Sequence, residues 1–195
     1  MEKKSIRKSY FKKRKELSNS KFQEESEQII KNMITLIKNF SPKCVHCFLP
    51  IKTKYEIDTL PIIKYCWYNN IDVLIPVSDF EKGTIKSAEF NPNTKMIQTK
   101  NNITEPFDPI WKKLNNIDLV ITPLLAFNIE GYRVGYGKGF YDRFFASFNH
   151  DVKRIGISLF KPCENIEKIS KQDIPLTHCV TPKKIYSFRY FNPDI

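Results

Sequence analysis

The sequence predicts a single α/β domain: a mostly parallel sheet flanked by helices in a Rossmann-like, three-layer arrangement. Three observations carry this. Segments with helical periodicity alternate with short apolar runs. The most apolar run, "IDLVITP" (117–123), has the unbroken hydrophobicity of a strand covered on both faces. The 195 residues, 41% hydrophobic and 13% aromatic, suit one domain with a substantial core.

Residues 3–16 read as a helix, with Ile6, Tyr10 and Leu17 near helical spacing and Phe11 beside them. "LSNS" interrupts it. Ser20-x-x-Gln23 matches a capping box and opens a second helix reaching about Phe40. Phe22, Ile29, Ile30, Met33, Ile34 and Ile37 form its buried stripe. "SPK" closes it, and "CVHCFLP" (44–50) reads as a buried strand. After the polar loop "IKTKYEIDT", Asp58 or Thr59 caps a helix with Pro61 in its first turn and Asn69-Asn70 at its end. "DVLIP" (72–76) is a strand. Residues 77–110 are irregular, with two short strands in "TIKSAEF" and "KMIQT". A glycine-rich loop follows 117–123, then a helix from about Gly139 to Phe148. "RIGISLF" (154–160) and "HCVTP" (178–182) supply the remaining strands. Ligands of such sheets sit beyond the carboxyl ends of the strands, which is where the glycine loop falls.

Composition narrows the function. The longest apolar run, around "LVITPLLAF" (119–127), is too short for a bilayer and contains a proline. The first residues lack a secretory apolar stretch, and Glu2 and Glu16 argue against a transit peptide. With no signal, five cysteines (44, 47, 66, 163, 179) predict reduced thiols in a cytoplasm. "CVHC" has half the spacing of a zinc site, but no second CxxC or HxxxH exists, so a strand is expected there. Net charge is +11, and the first sixteen residues set eight basic against two acidic side chains, a balance of +6. This implies an anionic partner (phosphate, nucleic acid or polyanionic substrate) or simply a solvated helix face.

Four of the six glycines, Gly131, Gly135, Gly137 and Gly139, fall within "EGYRVGYGKG". A dinucleotide fingerprint would need its third glycine at Phe140. A Walker loop would need glycine at Tyr132 and Ser or Thr after Lys138. Both motifs fail, but their shared physics survives: glycines let backbone N–H groups approach an anion closely. Lys138, Arg133 and Arg143 add charge, and Arg133 is able to grip a phosphate through two nitrogens. Asp142 is either a partner of the helix dipole or a magnesium ligand. Phe144 and Phe145 read as core, while Tyr136 and Phe140 are placed to face a flat ligand.

"LVITPLLAFNIEGYRVGYGKGFYDRFF" resembles the signature of the 5-formyltetrahydrofolate cyclo-ligase family. "KKSIRKSYFKKRKELS" is similar to that family's basic N-terminal helix, "FLP…YEIDT" to its substrate segment, and "ITEP", "RIGISLF" and "QDIPLTHCVT" to later segments in the right order. The resemblance implies an enzyme that uses ATP and Mg²⁺ to close 5-formyltetrahydrofolate to 5,10-methenyltetrahydrofolate, and the expected partners are those two substrates alone, with a monomer binding neither nucleic acid nor membrane. By position it implies that Lys3 or its neighbour Lys4, Arg7, Arg133, Val134, Gly135, Tyr136, Gly137, Lys138, Gly139, Phe140 and Tyr141 form the ATP site. It gives the folate to Leu49 and Glu56 with Tyr136 through Phe140, and magnesium to Asp142 and Asp173. Arg133, Lys138 and Asp142 would carry the chemistry. Asn128 and "PLTH" depart from the family pattern, and two positions are inserted before Glu56. A kinase with another acceptor and a basic nucleic-acid-binding module are the competing readings. The latter needs basic residues interleaved with exposed aromatics.

Overall fold

The structure, a computed structural model, describes residues 1–99 and 102–188. Strand "CVHC" shows why the central sheet forms. Cys44 and His46 pack on one face and Val45 and Cys47 on the other, and all four are buried. This alternation puts the two thiols on opposite faces, so the segment is a strand rather than half a chelate.

Along the chain lie α1 (Lys3–Lys15), α2 (Asn19–Phe40), β1 (Cys44–Cys47), α3 (Leu60–Tyr68), β2 (Asp72–Asp79), β3 (Thr84–Glu89), β4 (Met96–Gln98) and β5 (Thr104–Pro106). Then come β6 (Trp111–Lys112), β7 (Leu119–Pro123), β8 (Ala126–Phe127), β9 (Arg133–Val134), α4 (Phe140–Ala146), β10 (Lys153–Ile157), β11 (His178–Val180) and β12 (Ile185–Ser187). The main sheet runs β12-β11-β10-β7-β1-β2-β3-β6. Its five inner strands, β11 to β2, are parallel, and antiparallel strands finish each edge. The pairs β4–β5 and β8–β9 form two small separate sheets.

Helices cover both faces. Ile29, Met33, Leu36 and Ile37 of α2 pack with Ile62, Ile63 and Cys66 of α3 on Val45, Leu119 and Ile121. Phe144 and Phe145 of α4 pack on Cys44, Leu74 and Val120 from the other side. Both are core, as the sequence predicts. α1 stands apart: Ile6 packs with Ala126, Val134 and Ile166. No helix among the described residues is long and apolar enough to cross a membrane.

Several boundaries differ from the expected ones, each for a local reason. Ser18, not Ser20, caps α2: its Oγ accepts from the Lys21 amide at 3.2 Å, and Ser20 already lies in the first turn. In the α2 stripe Leu36 is buried, while Ile30 and Ile34 are half-buried at its margin. At α3 the two candidates divide the work. Asp58 Oδ1 accepts from the Leu60 amide, and the Thr59 hydroxyl donates to the Phe48 carbonyl at 2.6 Å. That bond draws Phe48 out of the ladder, so β1 stops at Cys47 rather than residue 50. β10 stops at Ile157: the Ser158 amide still donates to the Val180 carbonyl, and its Oγ bonds the Phe160 backbone where the chain turns out of the sheet. α4 ends at Ala146, where the Ser147 hydroxyl takes the Phe144 carbonyl.

Candidate functional site

Read in sequence order, the five parallel strands lie 2-1-3-4-5 across the sheet, so the order reverses between β1 and β7. Ligands of open α/β sheets bind at the carboxyl ends of the strands at that reversal. A cavity of about 580 Å³ opens there. Phe48 and Leu49 after β1, Pro76 and Ser78 late in β2, and Pro123 ending β7 all line it. The glycine loop walls one side, α1 another, and Ile103 and Thr104 reach it from β5 and the residue before it.

The loop's shape follows from two of its glycines. Gly137 has φ +94°, and a Cβ there would lie 2.9 Å from the Arg7 guanidinium carbon. Gly139 has φ +66° and begins α4 in the left-handed conformation. Gly135 needs neither freedom; its carbonyl accepts from Arg7 Nε at 2.9 Å. Arg143 does not face the cavity. It donates to the Gly83 and Lys138 carbonyls at 2.7 Å each and so ties the loop to the β2–β3 turn. Phe80 of that turn meets Phe140 edge-on, with Lys138 Nζ 4.4 Å above the Phe80 ring.

One end of the cavity is charged. Lys3, Arg7, Lys138, Asp142 and Asp173 all line it. Lys3 pairs with Asp173, which also accepts from the Ser170 amide. Arg133 is less available than the sequence reading assumes. Its side chain is 6% exposed, donates to Asp142 Oδ1 at 2.8 Å and to the Ile174 carbonyl at 2.6 Å, and lies over the Phe145 ring. Burial pulls its pKa down and the Asp142 charge opposes that. Asp142 Oδ1 also accepts from the Ile174 amide, while Oδ2 of Asp142 and Oδ1 of Asp173 accept no hydrogen bond among the described residues. Two free carboxylate oxygens in one cavity fit Mg²⁺, which takes one or two carboxylates and draws its other ligands from phosphate and water.

The other end holds Glu56, 9% exposed. Its Oε2 accepts from the Ile51 amide at 2.7 Å and its Oε1 from the Tyr136 hydroxyl at 2.6 Å. Burial raises its pKa; those two bonds and the charges of Arg14 and Lys54 work the other way. The Tyr136 hydroxyl is pushed well up by burial and by Glu56. The Tyr141 hydroxyl is buried without a partner among the described residues.

Of the residues the sequence nominates, all but Lys4, Val134 and Arg143 line the cavity. Lys4 is exposed on the far side of α1. Val134 points into the cluster with Ile6 and is 1% exposed. Arg14 was missed. It is 4% exposed and donates to the Leu124 carbonyl at 2.6 Å and to Tyr136 Oη at 3.3 Å. Its spacing offered a signal: Lys3, Arg7 and Arg14 share one helical face with Tyr10.

The model of the 5-formyltetrahydrofolate cyclo-ligase family matches residues 1–182. This chain belongs to the 5-formyltetrahydrofolate cyclo-ligase family. Among its cyclo-ligase relatives, that of Escherichia coli is 31% identical over 180 residues, covering 90% of this chain and 97% of the relative. That of Haemophilus influenzae is 30% identical over 160 residues, 79% and 84% respectively. A 5,10-methenyltetrahydrofolate synthetase from Aquifex aeolicus superposes with TM-score 0.77 at 28% identity, over 96% of this chain and 93% of its own. The synthetase of Mycoplasma pneumoniae shares the fold, with TM-score 0.74 at 20% identity.

Proposed function

We propose that the chain closes 5-formyltetrahydrofolate to 5,10-methenyltetrahydrofolate, with ATP as co-substrate and ADP and phosphate as products. The observation that carries the reading is one cavity with two kinds of lining: cations and carboxylates (Lys3, Arg7, Lys138, Asp142, Asp173), and a buried Glu56 bonded to Tyr136. Such a site suits a polyanion and a flat heterocycle bound side by side.

A formamide oxygen is a poor leaving group. Once it takes the γ-phosphoryl from ATP, releasing ADP, the carbon becomes iminium-like and open to the N10 amine. N10 attacks, the carbon–oxygen bond breaks, phosphate departs, and N10 loses its proton. The step needs no protein nucleophile. Positioning and charge neutralisation do the work, as in other phosphoryl transfers. Lys3, Arg7 and Lys138 face the phosphates. The backbone at Gly137 and Gly139 allows close approach. Glu56 accepts N–H groups of the pterin, and Tyr136 and Phe140 border its ring. Arg133 acts through Asp142, holding the carboxylate in place rather than gripping phosphate itself. Mg²⁺, held by Asp142 and Asp173, would neutralise phosphate charge.

The test is spectrophotometric. Purified protein should form the methenyl chromophore only with 5-formyltetrahydrofolate, ATP and Mg²⁺ together. Turnover without ATP, or none from folded protein under any condition, contradicts the reading. Hydrolysis of ATP independent of a reduced folate would favour a kinase with another acceptor.

A further inference from the structure

We infer that Arg14 is a positioning residue for the folate end of the site: through the Tyr136 hydroxyl it orients the Glu56 carboxylate and holds it ready to accept ligand N–H groups. This rests on the assignment of Glu56 to folate.

A guanidinium buried away from water is costly unless something needs its charge. Arg14 is 4% exposed, forms no ion pair among the described residues, and leaves its Nε without a partner. Its other two nitrogens are committed. Nη2 donates to the Leu124 carbonyl at 2.6 Å, which fixes the head group, and Nη1 donates to Tyr136 Oη at 3.3 Å and the Lys54 carbonyl at 3.4 Å. Arginine has no acceptor, so the Tyr136 oxygen receives from Arg14 and its proton is left for Glu56 Oε1, 2.6 Å away. Oε2 meanwhile accepts from the Ile51 amide. Both carboxylate oxygens thus serve as acceptors, the state that receives N–H donors from a ligand. The bond order Arg14→Tyr136→Glu56 is directional, and each donor strengthens the next.

Other groups facing Glu56 do not replace Arg14. Lys54, from the turn at 52–54, places its ammonium over the Tyr136 ring, 5.6 Å from the ring centre, and makes no hydrogen bond to Glu56 among the described residues. Tyr141, from α4, is neutral. Burial alone would favour a protonated Glu56, and Arg14 is among the groups that oppose it. α1 therefore serves both ends: Lys3 and Arg7 at the phosphates, Arg14 at the pterin.

The experiment is calorimetric titration of the full chain with 5-formyltetrahydrofolate and, separately, with Mg²⁺–ATP, at pH 6.5 and pH 8. Arg14→Gln should weaken folate binding by about tenfold, the scale of one charge-assisted hydrogen bond. The loss should be larger at pH 6.5 than at pH 8, because Glu56 then protonates at higher pH. Mg²⁺–ATP affinity should stay within about twofold of wild type on the same scale. Tyr136→Phe, which cuts the relay at its middle and leaves Arg14 packed, should show the same folate-selective, pH-dependent loss; it carries the test should Arg14→Gln not fold. Arg14→Lys, keeping the charge, should recover part of the affinity at pH 6.5. Wild-type folate affinity in Arg14→Gln or Tyr136→Phe, beside a weakened Glu56→Gln, overturns this inference alone. Equal, pH-independent weakening of both ligands does so too, by making Arg14 merely structural. Normal folate binding by Glu56→Gln overturns the folate assignment and this inference with it.

Discussion

Arg133 and Arg7 carry the same charge into the same cavity, and their surroundings give them different tasks. Arg133 is enclosed and bonded to Asp142 and the Ile174 carbonyl. Arg133→Ala leaves Asp142 without its partner and should destabilise the fold by about 2–3 kcal/mol, less than for a fully buried pair because Asp142 is partly exposed. Thermal unfolding without ligand reads this. Arg7 lies over the loop, and among the described residues the Gly135 carbonyl is its one hydrogen-bond partner. Arg7→Ala should leave the unfolding temperature near wild type and weaken Mg²⁺–ATP binding by about 1.5–3 kcal/mol. Asp142→Asn keeps an acceptor for the Ile174 amide but removes charge, so it should raise the Mg²⁺ concentration needed for half-maximal rate and spare folate binding. His46 acts on stability alone. Buried against Phe144 with neither ring nitrogen bonded among the described residues, it has its pKa pulled down to about 3 by desolvation. Its unfolded value is near 6.5, so the unfolded chain binds the extra proton between the two values. Its contribution is complete above about pH 6.5 and declines as pH falls toward 3, by at most about 1.4 kcal/mol per pH unit. Chemical denaturation at a series of pH values should show this slope, and His46→Leu should flatten it.

At the scale of elements, what the sequence disclosed depended on how local the cause was. The helices and the five parallel strands were legible because their burial repeats along the chain at period 3.6, or as unbroken apolar runs. β5, β6, β8, β9 and β12 were not. Each is two or three residues long and exists only because a partner strand lies beside it: Trp111 on Ala88, Ala126 on Val134. The α2 cap was misplaced by two residues because Ser18 and Ser20 are chemically alike, and only the helix start distinguishes them. Ser18→Ala should cost about 1 kcal/mol by denaturant titration, and Ser20→Ala far less. In the site, the glycine loop announced itself by composition. Arg14 announced itself less: it shares a helical face with Lys3 and Arg7, but inside a run of lysines and arginines that spacing does not mark it as enclosed, and its acceptors at Leu124 and Tyr136 lie 110 and 122 residues away. Nor does the sequence reveal that Arg133 is already occupied, since Ile174 enters from a distant loop.

Across the whole molecule, the reversal of strand order at β1 and β7 fixes where ligands meet, and α1 closes that meeting point from outside the main sheet. The helix is made first and seated last. On a ribosome its thirteen residues precede Tyr136 by more than a hundred, and Ile6 also waits for Ala126, Val134 and Ile166. At ordinary elongation rates the 122 residues from Arg14 to Tyr136 take roughly 6–24 s to synthesise. For most of that interval this strongly basic, amphipathic segment lacks the core partners that seat it, its early native contacts being to Lys54 and Tyr55. Nascent chains arrested at residue 120 should therefore lose residues 3–15 quickly to a lysine-directed protease, whereas released full-length chains should resist at the same sites. Early protection at 120 would mean that α1 finds a temporary seat before its own is built.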